Sequence, residues 1–226
     1  MILLQNISKT FVTKGVRKVV ADNICFAFPD DEAVGLIGRN GAGKSSLLQM
    51  ISGITEPDAG SVVRSGTVSW PVGFQGSFHP DLTGAENARF VARLYGVDTR
   101  DLEGFVQEFA ELGDHFHLPV RSYSSGMRAR LAFAVSMAVP FDTYLIDEVT
   151  SVGDAAFRAK SEALLLERMK NSSAIVVSHS MDLLRRICRS GLVLENGRVF
   201  YYARIQRAIE HHNYLMQGQL PPWMRG

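Results

Sequence analysis

The segment GRNGAGKSS at 38–46 is the feature that most constrains how this chain can fold. The apolar run at 33–37 before it predicts a buried strand, and residues 44–52 after it predict a helix that ends at Gly53. This strand–loop–helix order is the context that the phosphate-loop pattern G-x-x-x-x-G-K-[ST] requires. Four residues match the pattern: Gly38, Gly43, Lys44 and Ser45.

A loop of this kind turns backbone N–H groups inward, and the following helix adds its positive N-terminal end, so dipoles hold a polyphosphate. Lys44 would reach the β- and γ-phosphates, and the Ser45 hydroxyl would bind Mg²⁺. The alternative is a glycine-rich structural turn. The ATP-binding residues predicted in this segment are Gly38, Arg39, Asn40, Gly41, Ala42, Gly43, Lys44, Ser45 and Ser46.

An acidic pair follows the apolar residues at 144–146, which predict a second buried strand. Ligands of open α/β sheets bind at the carboxyl ends of the strands, so both carboxylates are expected near the phosphates. Asp147 would hold Mg²⁺ through water, and Glu148 is the candidate base that polarises the attacking water. The alternative is a solvated acidic turn, which the upstream phosphate loop disfavours.

His179 follows a third apolar strand, predicted at 174–177, and is therefore expected at the carboxyl end of that strand too. An imidazole there could donate a hydrogen bond to the γ-phosphate and hold the water geometry. The alternative is a structural or surface histidine.

Together with YSSGMR at 123–128, these segments resemble the nucleotide-binding subunit of an ABC transporter over essentially the whole chain. A simple phosphate-loop GTPase or kinase has no use for such a segment. In ABC proteins a Ser and a Gly at the start of a helix contact the γ-phosphate of ATP held by the partner subunit, which implies these roles for Ser124 and Gly126. The segment departs from the common Leu-Ser-Gly-Gly-Gln at its first, third and fifth positions, and we expect no nucleotide contact from Met127.

The resemblance implies three further site residues. Phe11 matches the aromatic that stacks on adenine, although it could be an ordinary strand-edge residue. Gln75 matches the glutamine that contacts Mg²⁺ and the lytic water, with His79 as a rival in this register. Asp154 belongs to the loop that crosses to the partner's phosphate loop, and it could also cap the helix beginning near Ala155.

Composition bounds the remaining possibilities. A chain of 226 residues has room for one main domain, and a net charge of +1 offers no broad basic footprint for nucleic acid. Cys25 and Cys188 lack metal-like spacing and suit a reducing compartment. The pairs His115/His117 and His211/His212 lack the Cys or carboxylate partners of a metal site.

The expected fold is α/β: a P-loop NTPase core of the ABC ATPase type, with an N-terminal antiparallel β subdomain and an inserted helical subdomain. Short strands alternate with turns at Lys14–Gly15 and Pro29–Asp31 before the phosphate loop, helical periodicity dominates the middle, and Asn196–Gly197 marks a late hairpin. The chain is expected to form a single ABC ATP-binding domain without an internal repeat. Its predicted parts are 1–81 and 141–202 (core), 82–140 (helical subdomain) and 203–226 (C-terminal helix and a mobile tail).

The sequence predicts no membrane-spanning segment. The N-terminus reads as an edge strand and not as a basic leader, and the longest apolar stretch, 131–140, is far below the roughly 20 residues that span a bilayer. By resemblance we expect a peripheral protein on the cytoplasmic face of the cell inner membrane.

The residues around the motifs indicate which cargo the transporter carries. Val149 to Asp154 replaces the common Pro-Thr-Ser-x-Leu-Asp, and with SWPVG at 69–73 and FHPDLTGAEN at 78–87 it resembles exporters of lipid-linked surface polysaccharides. The YSSGM variant and short length fit the capsule-export branch best. The alternatives are an O-antigen or teichoic-acid type exporter, or a different cargo. Polymer selection is then expected in partner proteins.

The implied mechanism is ATP-driven closure of a head-to-tail dimer, with a membrane permease, in two copies, as the partner and further envelope-export proteins beyond it. The alternative functions are those of a small-molecule kinase or GTPase, a DNA-repair ATPase, and a regulatory ATPase that acts without a permease. The chain lacks an Asn-Lys-x-Asp motif and a long coiled-coil insertion, which disfavours the first two. The implied catalytic residues are Lys44, Gln75, Glu148 and His179.

Overall fold

A computed structural model describes residues 1–74, 76, 78–147 and 153–224. Its strands are β1 Ile2–Thr13, β2 Val16–Phe28, β3 Ala33–Ile37, β4 Ala59–Arg64, β5 Val68–Val72, β6 Thr143–Asp147, β7 Ser173–Val177, β8 Ser190–Glu195 and β9 Arg198–Tyr202. Its helices are α1 Lys44–Ser52, α2 Gly84–Tyr95, α3 Thr99–Ala110, α4 Ser125–Ala138, α5 Ala155–Arg168, α6 Met181–Ile187 and α7 Ile205–Met216. Short 3₁₀ turns occur at Gly113–His117, Val120–Ser122 and Pro222–Met224.

The strands form two sheets. One has three strands in the order β2-β1-β4, paired antiparallel. The other has six strands in the order β5-β6-β7-β3-β8-β9, in which β6, β7, β3 and β8 run parallel and β9 returns antiparallel beside β8. Crossovers between parallel neighbours require helical connections, which is why helices alternate with these strands. The α/β fold with an N-terminal antiparallel part is confirmed.

The first sheet begins with a long hairpin. The sequence predicts short strands here, whereas β1 and β2 have 12 and 13 residues and are interrupted by register shifts. The predicted turn at Lys14–Gly15 is confirmed, because both residues have positive φ, 49° and 80°. Two positive-φ residues match the right-handed twist of the strands that they join.

The chain divides into two compact units. The first holds the residues in 1–71, 142–148 and 171–226, and the second those in 72–141 and 149–170. The subdomain limits expected from the sequence, with a helical subdomain at 82–140, stay a prediction.

The core of the first unit joins both sheets to α1. Leu47, Leu48 and Ile51 of α1 are fully buried against apolar residues of β1 and of the central strands β3 and β6. Helix α1 ends at Gly53, as predicted, because Gly53 adopts the left-handed conformation with φ of 82° and donates to the carbonyls of Gln49 and Met50. Burial of α1 holds the loop that precedes it in place.

Aromatic side chains form the core of the second unit. Phe109 of α3, Phe133 of α4 and Phe157 of α5 have ring centroids 5.6–6.3 Å apart. Thr83 begins α2 with a reciprocal capping box, in which its hydroxyl accepts from the Glu86 N–H and the Glu86 carboxylate accepts from the Thr83 N–H. Packing and capping together explain why these helices form.

The described part of the C-terminal tail, up to residue 224, contacts β9 and α7, and the mobility expected from the sequence stays a prediction. Trp223 packs edge-on against Tyr202 and Tyr214 and lies under the Arg207 guanidinium, 4.7 Å from its centre. Its indole N–H donates to the Tyr202 hydroxyl at 3.3 Å. The aromatic contacts, which sequence periodicity does not reveal, hold the tail on β9 and α7.

None of the helices that the structure describes is long and apolar enough to cross a membrane. Helix α4, which contains most of the longest apolar stretch, has 14 residues and is buried along most of its C-terminal half.

We expect Ser69→Ala to lower the free energy of unfolding by about 1–3 kcal/mol, because it leaves a buried donor unpaired. The Ser69 side chain is fully buried and accepts from the Leu145 N–H at 2.8 Å, which ties β5 to β6. Urea denaturation monitored by circular dichroism measures the effect. The matched control is Ser65→Ala at an exposed position. Equal midpoints for the two variants would contradict this expectation.

Candidate functional site

Three adjacent strands bring the predicted motifs to one edge of the six-stranded sheet. Strand β7 lies between β6 and β3, and both neighbours run parallel to it. In the β6–β7 register Asp147 stands opposite Val177, and Val177 lies two residues before His179. Strand β3 ends at Ile37, directly before the phosphate loop. Asp147, His179 and the loop therefore lie at or directly after the carboxyl ends of adjacent strands.

The backbone of the loop explains its glycines. Gly41 and Gly43 have φ of 77° and 109°, conformations that side chains disfavour. A Cβ on Gly43 would lie 2.8 Å from the Cβ of Val20, and one on Gly38 would lie 2.6 Å from the carbonyl oxygen of Leu194. Any side chain at these two positions would displace the loop from β2 and β8.

Lys44 is the first residue of α1, and its side chain bonds back to the loop that precedes the helix. Its ammonium donates to the carbonyl oxygens of Gly38 at 2.9 Å and Arg39 at 3.2 Å. The Arg39 carbonyl also accepts from the Ala42 N–H at 3.0 Å. Because these carbonyls face the ammonium, the loop curls around the N-terminus of α1, and the positive end of the helix dipole attracts an anion there.

An open cleft of about 550 Å³ lies over this loop, within the first unit. It brings together predicted residues from three places: Phe11 on β1, the loop itself, and His179 after β7. Phe11 is 38% exposed, so its ring remains accessible to a ligand. The lining residues are Phe11, Lys18, Val20, Asn40, Gly41, Gly43, Lys44, Ser45, Ser46 and His179.

Two predicted catalytic residues, Gln75 and Glu148, lie outside the described residues, as do residues 149–152. Their roles stay predictions. His79, the alternative to Gln75, forms hydrogen bonds within the second unit. Its backbone N–H donates to the Asn87 side-chain oxygen, and its ring Nδ1 accepts from the Asp81 N–H. These local contacts fix the turn before α2.

Ser124 and Gly126 belong to the second unit, at the start of α4. The Ser124 hydroxyl caps the helix by accepting from the Met127 N–H at 3.2 Å. A Cβ on Gly126 would contact only the Ser124 hydroxyl oxygen, at 3.9 Å, among the described residues. No packing within this part of the chain therefore requires glycine at 126, and its surface is free for the close approach of a ligand.

Asp154 caps α5, as one of the two predicted roles requires. Its carboxylate accepts from the Phe157 N–H at 2.9 Å and pairs with Arg130 of α4 at 2.8 Å. The cap hydrogen bond, assisted by Arg130, lowers the pKa of Asp154. The second role, contact with a partner's phosphate loop, stays a prediction.

The histidine and cysteine side chains that do not line the cleft differ in burial. His211 is fully buried, and its Nδ1 lies 2.9 Å from the Tyr202 hydroxyl. Cys188 is buried, which raises the pKa of its thiol to about 12, whereas Cys25 is exposed. Within the described ranges, no group of three or more His, Cys, Asp or Glu side chains could hold a metal ion.

Sequence reasoning missed three residues beside the predicted site. Lys18 and Val20 of β2 line the cleft. They could have been found by pairing β2 with β1, because Phe11 and Lys18 are register partners. His212 of α7 also lies near the loop. Burial is the largest cause that lowers the pKa of His212, and the charges of Lys44 and Arg39 lower it further.

The fold and the cleft define a P-loop ATPase with an ABC-type cassette. The model of the ABC transporter family matches residues 21–151, more than half of the chain. This chain therefore belongs to the ABC transporter family.

Relatives at 44–46% identity extend over nearly the whole chain. The capsule polysaccharide export ATP-binding protein CtrD of Neisseria meningitidis is 44% identical, covering 95% of this chain and all of that protein. The ATP-binding protein BexA of Haemophilus influenzae is 45% identical, covering 94% of this chain and 98% of that protein. The polysialic acid transport ATP-binding protein KpsT of Escherichia coli is 46% identical, covering 94% of this chain and 96% of that protein.

Solved structures agree on the fold. A dimeric ATP-binding cassette in a post-hydrolysis state, bound to ADP and Pi, superposes with a TM-score of 0.75 at 22% identity. The match covers 91% of this chain and 99% of that chain. An ATP-binding subunit of an ABC transporter superposes with a TM-score of 0.72 at 21% identity, covering 93% of both chains.

We expect the protein to lose stability as the pH falls below about 6.5, the usual pKa of an exposed histidine. Burial lowers the pKa of both His211 and His212, so the unfolded chain binds more protons in this range. Stability is therefore complete above the unfolded pKa and declines as the pH approaches the lower folded pKa.

His212→Gln should reduce this pH dependence, because it removes one of the two titrating groups. Urea denaturation at pH 7.5 and pH 5.5 measures it, with His117→Gln at an exposed position as the control. The same stability difference between the two pH values in both variants would show that His212 makes no contribution.

Proposed function

We propose that this chain is the ATP-binding and ATP-hydrolysing subunit of an ABC exporter that drives a lipid-linked capsular polysaccharide across the cytoplasmic membrane. The observation that carries this proposal is the 44–46% identity, over more than nine-tenths of the chain, to three proteins named for capsule export, ATP binding and polysialic acid transport. An O-antigen export ATP-binding protein of Klebsiella pneumoniae is less similar, at 39% identity. Capsular polymer is therefore favoured over O-antigen as the cargo.

The cleft accommodates ATP in a defined orientation. Phe11 offers its exposed ring to the adenine, and the loop around Lys44 offers backbone N–H groups and an ammonium to the phosphates. Glycine at 38 and 43 lets the loop lie close against β8 and β2, which fixes the position of the cradle. The β- and γ-phosphates are bound here by charge-assisted hydrogen bonds.

The surrounding oxygen donors suit Mg²⁺, which prefers oxygen ligands and retains several waters. Ser45 lines the cleft, and Asp147 ends β6 at the same edge of the sheet, so their hydroxyl and carboxylate are the candidate ligands. Gln75 is a third by resemblance. When bound, the ion neutralises negative charge on the phosphates.

Hydrolysis requires a base and a stabiliser of the transferred group. Glu148 takes a proton from the attacking water, and the bond from the γ-phosphorus to the bridging oxygen breaks to give ADP and phosphate. Lys44 and His179 stabilise the charge on the transferred phosphoryl group, and Gln75 positions the water.

The site is completed by a second copy of the chain. In a head-to-tail dimer, Ser124 and Gly126 of one protomer contact the γ-phosphate bound by the other. The exposed N-terminus of α4 and the open space at Gly126 support this assignment. Asp154 extends the same surface toward the partner's phosphate loop. ATP shared between two copies pulls them together, and hydrolysis releases them.

The energy is used by a partner in the membrane. A permease in two copies conducts the polymer, further envelope proteins carry it outward, and the surface near Gln75 transmits the motion. The subunit itself sits at the cytoplasmic face of the inner membrane and binds no nucleic acid. Co-purification of a membrane protein with this chain separates the transport function from a regulatory ATPase that acts alone.

In the native host, Lys44→Ala should lower surface polysaccharide at least tenfold and make polymer accumulate in the cytoplasm, because the phosphate loop loses its cation. Immunoassay of whole and lysed cells measures both pools. The matched control is Lys170→Ala at an exposed position. Unchanged surface polymer, in a strain without a second copy and with ATPase activity lost, would exclude capsule as the cargo.

Glu148→Gln should retain ATP binding and lower turnover by about 10²–10⁴-fold, the usual effect of losing a general base. An ATP-bound dimer should accumulate on size exclusion. The control is Glu108→Gln, an exposed residue of α3. Near-normal phosphate release by the Glu148 variant would remove this residue from the role of base.

A further inference from the structure

Lys18 places a second cation beside the phosphate loop. It is the register partner of Phe11 in the β1–β2 hairpin, so the two side chains stand next to each other across the strands. Because side chains alternate along a strand, Lys18 shares a face with Val20, which packs against Gly43. All four residues line the cleft.

The Lys18 ammonium lies directly over the loop. Its Nζ is 3.1 Å from the position that a Cβ on Gly41 would occupy. A side chain at 41 would require the flexible Lys18 ammonium to move by a few tenths of an ångström, and the φ of 77° disfavours it as well. Gly41 allows both the left-handed turn and the approach of the cation.

The Lys18 ammonium has no protein partner among the described residues: it forms neither an ion pair nor a hydrogen bond there. On the same hairpin, Lys9 is paired with Asp58 at 2.7 Å. A cation held over an anion-binding loop without a counter-charge raises the electrostatic potential of the cleft. A phosphate oxygen seated in the loop would supply the missing partner.

We propose that Lys18 is a phosphate-binding residue of the nucleotide site, which contacts the polyphosphate from the β2 side while Lys44 contacts it from within the loop. Lys18 favours nucleotides according to their negative charge, so it discriminates ATP from nucleosides and monophosphates. Since the side chain is exposed, its contact is worth less than a buried one, and a five- to tenfold contribution to ATP affinity is expected.

The test compares Lys18→Met with Arg17→Met in the full-length chain. Arg17 is adjacent in sequence but pairs with Val12 and points to the opposite face of the hairpin. Both variants lose one positive charge from the same strand, so the overall charge is matched. Isothermal titration calorimetry with Mg²⁺ measures the dissociation constants of ATP, ADP and adenosine, and Lys18→Arg tests whether a positive charge is sufficient.

Lys18→Met should weaken ATP binding five- to tenfold, ADP binding by less, and adenosine binding by less than twofold. Arg17→Met and Lys18→Arg should remain within twofold of the wild type for ATP. A loss below twofold for ATP in Lys18→Met would overturn the role of Lys18. An equal loss for adenosine and ATP would also overturn it, because Lys18 would then pack on the nucleoside.

This inference rests on the proposed function, and the same titrations separate the two. If the wild type binds ATP and Lys44→Ala does not, the nucleotide site stands, and the Lys18 result decides this inference alone. If the wild type binds no ATP, both are wrong.

Discussion

The parallel hydrogen bonding of β6, β7 and β3 is the constraint on which the site depends. Parallel neighbours end at the same edge of a sheet, so the segments that follow them share one place although they are far apart in sequence. In this register Asp147 stands opposite Val177, two residues before His179. Ser69 supports the arrangement by accepting a hydrogen bond from β6. A one-residue slip would move every side chain to the other face of the strand, and the carboxylate would leave the site.

Electrostatics determines what the site can bind. The loop turns carbonyls toward the Lys44 ammonium, while the positive N-terminal end of α1 lies at the cleft. Lys18 adds a second positive charge from β2, in a chain whose net charge is only +1. The positive potential is therefore local, and a polyphosphate is the ligand that matches it. Burial lowers the pKa of His212, and the charges of Lys44 and Arg39 lower it further, because each disfavours a further positive charge nearby.

In the proposed dimer, the second unit would contribute to a site that two copies complete. Gly126 has open space around it, and the Ser124 hydroxyl and backbone donors stand at a helix N-terminus. Arg130 links the same helix, α4, to Asp154 at the start of α5. This ion pair joins two segments that the ABC resemblance assigns to the partner's nucleotide. A protomer would therefore present them to its partner as one surface, which couples γ-phosphate contact on α4 to the position of Asp154.

The sequence alone determined the local elements, because their signals are local: the apolar run of β3, the left-handed cap at Gly53 and the Lys14–Gly15 turn all lie where the pattern predicts. It also determined the family and most of the cleft, since the phosphate-loop motif contains its own ligands. Only the tertiary structure decided which distant residues join them. Lys18 enters the site through the register of a hairpin, and Trp223 holds the tail through aromatic contacts. Strand pairing and side-chain packing depend on the whole fold, and no single segment carries their signal.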